Sequence, residues 1–220
     1  MEINWESQVL SSVSKVIPKL SCLEIDIDKL HEVAAELSED SFSINYEGNT
    51  NTVPKEYIRK TMLINTLNFV FTDFLTSVKY KIENYSDTDA MVYQIDKALD
   101  QGIPLTQGRF MRDMNLKEFK TLFTGNIVMP MADEKVKILN NVGDILVTKY
   151  GGDWINFIDD GPKKLYDNGK GLVERLVRDF KRFDDHSIFE NEKVYFLKLA
   201  QLAFWGIHRE LSKRYFYIED

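Results

Sequence analysis

The chain has 220 residues, 44 % of them hydrophobic and 12 % aromatic, which is enough to bury a sizeable core as one domain over residues 1–220. A net charge of −7 and a pI near 5.1 argue against a protein held to duplex nucleic acid mainly by phosphate neutralisation, because that binding scales with Lys and Arg contacts. One cysteine, Cys22, excludes an internal disulfide framework and any paired-cysteine zinc or redox motif, as expected in a reducing cytoplasm.

The N-terminus, MEINWESQVL, has no basic region followed by an apolar core, and no run approaches the roughly 18 apolar residues needed to span a bilayer. A cytoplasmic protein with no membrane partner is expected. The first element predicted is an amphipathic helix over Glu6–Leu20, with Val9, Leu10, Val13, Val16 and Ile17 on one side and Pro18 near its end. Asp26 or Asp28 can cap a second helix, Lys29–Leu37, in which Leu30, Val33, Ala34 and Leu37 follow the helical period. Ser38–Thr52 reads as loop with one short strand near Phe42, Ile44 and Tyr46.

Pro54 suits the first turn of a helix that leads into Thr61–Val78, predicted as the buried central helix because it is apolar on nearly every side. On it Thr61, Asn65, Asn68, Thr72 and Thr76 recur at helical spacing as an uncharged polar stripe. The stripe either joins a satisfied network or lines a pocket for a flat polar ligand.

Lys79–Tyr85 alternates as a strand. Helices follow from Asp87, with Met91, Val92, Ile95, Ala98 and Leu99 inward and Gly102 and Pro104 as stop, and then over Asn115–Phe123 and Asp133–Tyr150. Gly151 and Gly152 close the last of these, and Trp154, Ile155, Phe157 and Ile158 form an apolar plug before the loop Asp159–Lys170. The final helices are Gly171–Phe180 and Glu192–Ser212, the latter with Phe196, Leu199, Ala200, Ala203, Phe204 and Ile207 inward.

His31, His186 and His208 are scattered without metal-ligand spacing, and no phosphate-binding glycine loop or nucleophile elbow is present, so neither metal nor cofactor is expected. Lys163, Lys164, Lys170, Arg175, Arg178, Lys181 and Arg182 form a basic run, read either as a solvated face or as a phosphate-holding edge. Among 35 carboxylates two stand out: Asp100, in ALDQGIPLT at a helix end, and Asp185, in FDDHSIFE before the last helix. Each reads as a cap or turn residue or as a site carboxylate.

VLSSVSKVI, NTLNFVF, ALDQGIPLT, the stretch Met129–Ile158 and FDDHSIFENEKVYFLKLAQ run in that order along the chain, and together they resemble the queuosine salvage proteins, which are queuosine 5′-phosphate N-glycosylases. VLSSVSKVI with the helix after it looks like the family's opening; NTLNFVF, Asn65–Phe71, resembles its DTLNF-aromatic motif, and ALDQGIPLT resembles ALDEGIPIT. Met129–Ile158 is similar to the stretch that begins with MP, carries ERxxIL and ends in KFGGSFLN; FDDHSIFENEKVYFLKLAQ looks like FRDxxxFxGxxVxFYKRAQ.

The resemblance implies a mainly α, single helical domain with a few short strands, related to helical DNA glycosylases. It implies hydrolysis of the N-glycosidic bond of queuosine 5′-monophosphate, or a related 7-deazaguanine nucleotide, to free the base for salvage. Asp100 and Asp185 are then the candidate catalytic carboxylates, with Asn65, Asn68, Phe69, Phe71, Trp154, Lys198 and Gln201 as substrate-binding residues. The partner is a small modified nucleotide; nucleic acid is possible but not favoured by the charge.

Two departures bear on activity. Asn65 and Gly206 stand where the family carries acids, and the sequence stops at Asp220, where the family continues into an FADYRxPQ motif. A chain short of that C-terminal portion is expected to turn over slowly. Two other readings remain: a non-catalytic binder of a modified nucleoside, and a glycosylase removing a modified base from nucleic acid.

Overall fold

Polar caps and glycine stops set several of the helix boundaries. A computed structural model describes residues 5–21, 24, 26–36 and 54–213. Among these, α1 (Trp5–Val16) and α2 (Ile27–Glu36) precede α3 (Pro54–Leu67), which begins at proline as its fixed φ allows. A small hairpin, β1 (Lys81–Ile82) and β2 (Tyr85–Ser86), leads into α4 (Asp87–Asp100), and α5 (Gly108–Asp113) follows the Gly102 turn.

In α6 (Leu116–Leu122) a reciprocal cap forms: Asn115 Oδ1 accepts from the Glu118 amide at 3.0 Å, and the Glu118 carboxylate accepts from the Asn115 amide at 3.1 Å. The long helix α7 (Ala132–Lys149) ends at Gly151 and Gly152, both at positive φ, and the Gly152 amide returns to the Leu146 carbonyl at 2.8 Å. Asp153 then caps α8 (Trp154–Asp159) through the Ile155 amide at 3.0 Å. The chain finishes with α9 (Leu172–Asp179), an antiparallel hairpin of β3 (His186–Phe189) and β4 (Glu192–Tyr195), and α10 (Lys198–Lys213).

The molecule is therefore mainly helical, as the resemblance implies. Its core runs from Met62, Leu63 and Leu67 of α3 through Leu139, Val142 and Leu146 of α7 to Phe180, Phe183, Ala200 and Ala203, all of them buried. The α5 and α7 backbones touch at Gly143, where any side-chain carbon would collide with the Arg112 backbone. Arg59 of α3 grips Asp153 with a two-pronged ion pair at 2.9 and 2.6 Å. Among the described residues no helix is long and apolar enough to cross a membrane, and no group of three or more His, Cys, Asp or Glu could hold a metal ion.

Three predicted elements are corrected. The central helix stops at Leu67 instead of running to Val78, so Asn68, Thr72 and Thr76 do not share a helical stripe with Thr61 and Asn65. The residues beyond are β-branched and aromatic, Val70 sits at φ 45°, and Asp73 folds the chain back by accepting from the Leu75 and Thr76 amides at 2.8 and 3.0 Å.

The strand predicted over Lys79–Tyr85 is instead a hairpin of two-residue strands turned at Glu83 and Asn84, preceded by a lone bridge between Thr72 and Lys79. Finally, Glu192–Ser212 divides. Glu190 and Asn191, both at positive φ, make a tight turn that pairs Glu192–Tyr195 with His186–Phe189, and the helix starts only at Lys198. Phe196, expected to face inward, is consequently 48 % exposed. Helix α5 was not anticipated, Leu10 and Ile17 of the first helix lie exposed, and the loop predicted over Ser38–Thr52 lies outside the described residues.

Candidate active site

Helix α3 has no basic residue in its last turn, so its C-terminal carbonyls and the negative end of its dipole need cations from elsewhere. Two are supplied. Lys135 of α7 donates to the Leu67 carbonyl at 3.1 Å and to the Phe69 carbonyl, with its ammonium 3.7 Å from the Phe69 ring centre and 4.8 Å from that of Phe71. Arg182, in the 3₁₀ turn Lys181–Phe183, donates to the Thr66 carbonyl at 2.8 Å and to the Asn65 carbonyl at 3.4 Å, and its guanidinium lies 4.7 Å from the Phe69 centre. Burial, and then the like charge of Arg182, push the Lys135 amine down to about 7. Burial also lowers Arg182, partly offset by Asp185.

Asp185 is the carboxylate of this group. Its Oδ2 accepts from the Lys198 and Leu199 amides at 3.0 and 3.3 Å and so caps α10 at the positive end of that helix's dipole. The other oxygen, Oδ1, is buried and has no hydrogen-bond partner among the described residues. One turn along α10, Gln201 donates to the Tyr166 hydroxyl at 3.0 Å.

Tyr166 sits on a loop fixed from beneath by α9. Buried Glu174 accepts from the amides of Asp167, Gly169 and Gly171 at 2.8, 2.9 and 2.8 Å, while Arg175 donates to the carbonyls of Phe157 and Lys170 at 2.7 and 3.0 Å. Since α3 packs on α10, with the Thr61 methyl against Gly206, the end of α3, the Arg182 turn and the start of α10 meet at one place.

Of the residues singled out in the sequence, Asn65, Phe69 and Asp185 meet Arg182, Lys198 adjoins Asp185 through its amide, Gln201 lies one turn further along α10 against Tyr166, and Phe71 lies against Lys135. Asn65 donates its amide to the Thr61 carbonyl at 2.9 Å, and Phe69 is flanked by both cations. Lys198 is exposed at the first position of α10. Three residues stand apart. Asn68 accepts from the Thr88 hydroxyl at 2.8 Å on the surface. Asp100 is exposed at the end of α4, tied by no hydrogen bond or ion pair to the other candidates among the described residues. Trp154 is fully buried, its ring centre 4.8 Å from Phe180 and edge-on to Phe157 and Phe183, so it packs the core and offers no open face.

The basic run is dispersed: Arg175 is buried under the loop, Arg178 pairs with Asp179, Lys163 with Asp159, and Arg182 turns to α3. The sequence reading passed over Lys135, Tyr166 and the part Arg182 plays. Lys135 had a signal, since it falls in phase with Leu139, Val142 and Leu146 on the buried face of α7; Tyr166 and Arg182 had none. A separate cavity of about 190 Å³, lined by Phe119, Phe123, Ile127 and Met129, contains no carboxylate and none of these residues.

Comparison with known proteins adds the following. A family model described as queuosine salvage protein matches residues 44–216. A protein of Mus musculus named queuosine 5′-phosphate N-glycosylase/hydrolase is 30 % identical over 146 residues, covering 64 % of this chain and 42 % of that protein. Proteins of the same name from Bos taurus and Sphaerobacter thermophilus are 26 % and 23 % identical, covering 76 % and 88 % of this chain and 50 % and 60 % of their own lengths. The chain thus spans about half the length of the curated relatives it matches.

Proposed function

Because the chain belongs to the queuosine salvage protein family, we propose that it binds queuosine 5′-monophosphate, or a close 7-deazaguanine nucleotide, and hydrolyses its N-glycosidic bond. The observation that carries this reading is Asp185, half of whose carboxylate is anchored by two α10 amides while Oδ1, buried, has no hydrogen-bond partner among the described residues. Cleavage of the bond from ribose C1′ to the base builds positive charge on the sugar, which a carboxylate stabilises. The base leaves with the bonding pair and takes up a proton from solvent, while water adds its oxygen to C1′ and passes a proton to Asp185, which returns it to solvent.

Gln201 and Tyr166 present amide and hydroxyl groups to the edge of a base, and the exposed ammonium of Lys198 suits the 5′-phosphate. Asp100, far along α4 with no tie to this group, is assigned no part in the step.

The test is calorimetry with the nucleotide and mass spectrometry for free base and ribose 5-phosphate. With Asn65 and Gly206 in place of acids, turnover is expected to be at least about 10²-fold below that of a relative that carries those acids. Asp185→Asn should keep binding within severalfold and lower release by a further 10²–10³-fold or so. Absence of binding, or an Asp185→Asn variant as fast as the wild type, overturns the reading; binding with no release makes the chain a nucleotide binder.

A further inference from the structure

We propose that Lys135, lying outside the group that would meet the nucleotide, is a positioning residue that fixes the Asn65–Phe71 segment in its binding geometry. The inference rests on the ligand site assigned above. The segment needs an external hold, because Val70, a β-branched residue, sits at φ 45° in the left-handed region, where such side chains are strained. Lys135 bonds the carbonyls on its near side, Leu67 and Phe69, and its ammonium lies against the Phe69 and Phe71 rings. The side chain is wholly buried, and no carboxylate pairs with it among the described residues.

The charged groups around Lys135 are few. Arg182 faces it from the Lys181–Phe183 turn, Asp185 acts on Arg182, and α3 presents only carbonyls. On α7 itself Glu134 turns away to Lys137 at 2.7 Å. With its amine pushed down to about 7 by burial, Lys135 keeps N–H donors for Leu67 and Phe69 in either protonation state, and an opened segment, in which the amine regains its ordinary value, is disfavoured further as pH rises through neutrality. Arginine at this position would keep its charge throughout.

Two measurements test this: amide hydrogen exchange at Asn68 and Phe69 in the free protein, and calorimetry with queuosine 5′-monophosphate, each from about pH 6 to about pH 9. In the wild type both amide protection and affinity should rise by about fivefold or more as pH rises, because loss of the proton favours the held segment. Lys135→Arg should flatten both profiles, and Lys135→Met should lower both about tenfold at the upper end of this pH range. The nucleotide's own titration is common to the wild type and the Arg variant, so their difference reports Lys135. If the Met variant does not fold, the Arg variant carries the comparison. A wild-type profile that Lys135→Arg reproduces, in exchange or in affinity, overturns the inference. A wild type that binds no nucleotide while Lys135 still governs exchange overturns the proposed function and leaves Lys135 a purely structural clamp.

Discussion

At the scale of single residues, two ionisable groups, Lys135 and Asp153, make stability depend on pH through unlike causes, one by burial and the other by an ion pair. Lys135 is buried with its amine lowered to about 7, so between there and the ordinary lysine value the unfolded chain binds the extra proton and stability rises with pH. From pH 7 to pH 9 the wild type should gain about 2–3 kcal/mol relative to Lys135→Met in urea titrations, and parallel curves would show that the amine does not titrate there. For Asp153 the cause is the ion pair: its hydrogen bond to Arg59 holds its carboxyl below the usual range, although burial opposes this. Its stabilisation is present above the unfolded value near 3.9 or so and is lost as pH falls through the folded one. Asp153→Ala, which removes both cap and ion pair, should cost about 1–2 kcal/mol at neutral pH, and Asp153→Asn, which can still cap, should cost less. That second loss should vanish in strong acid; an Asn variant as costly as Ala would place the whole effect in the Arg59 pair.

At the scale of elements, α10 has two unlike faces. Ala200, Ala203, Phe204 and Ile207 are buried, while Leu202 and Trp205 are 41 % and 47 % exposed, with Arg209 lying over Trp205. Phe204, stacked on Phe157 at 6.5 Å between ring centres, leaves a cavity when truncated. Phe204→Ala should therefore cost about 3–5 kcal/mol by denaturant titration, and a loss under about 1 kcal/mol would mean that this face is not packed. Helix identity was legible wherever a 3.6-residue period coincided with a cap or glycine stop, as at Asn115 and Gly151–Gly152. It failed where the same apolar letters served an extended chain. Phe69–Val78 reads as buried helix by composition, yet Asp73 and the cations from α7 and the Arg182 turn select a fold-back. The α10 start failed for a related reason, since Glu190–Asn191 closes a hairpin before the helical period begins.

At the scale of the whole molecule, ligand binding and folding are linked. A nucleotide that binds only the folded chain should, at about a hundred times its dissociation constant, add about 2.7 kcal/mol, which for a chain of this size raises Tm by about 5–10 °C. Differential scanning calorimetry over a range of queuosine 5′-monophosphate concentrations reads this, and a Tm indifferent to the nucleotide would count against the proposed function. The amino-acid sequence by itself determined the helical class, because periodicity and caps are local, and family membership, because ordered motifs survive in the letters. It also placed Asp185 beside the last helix. Only the tertiary structure decided which candidates meet. It buried Trp154 among aromatic rings and, among the described residues, left Asp100 at the end of α4 without a tie to the other candidates. It also brought Lys135 and Arg182, distant in sequence, onto the carbonyls of α3. The physical reason is that a backbone carbonyl's need for a donor is the same at every residue and carries no letter of its own, so which side chain meets it depends on how the helices pack.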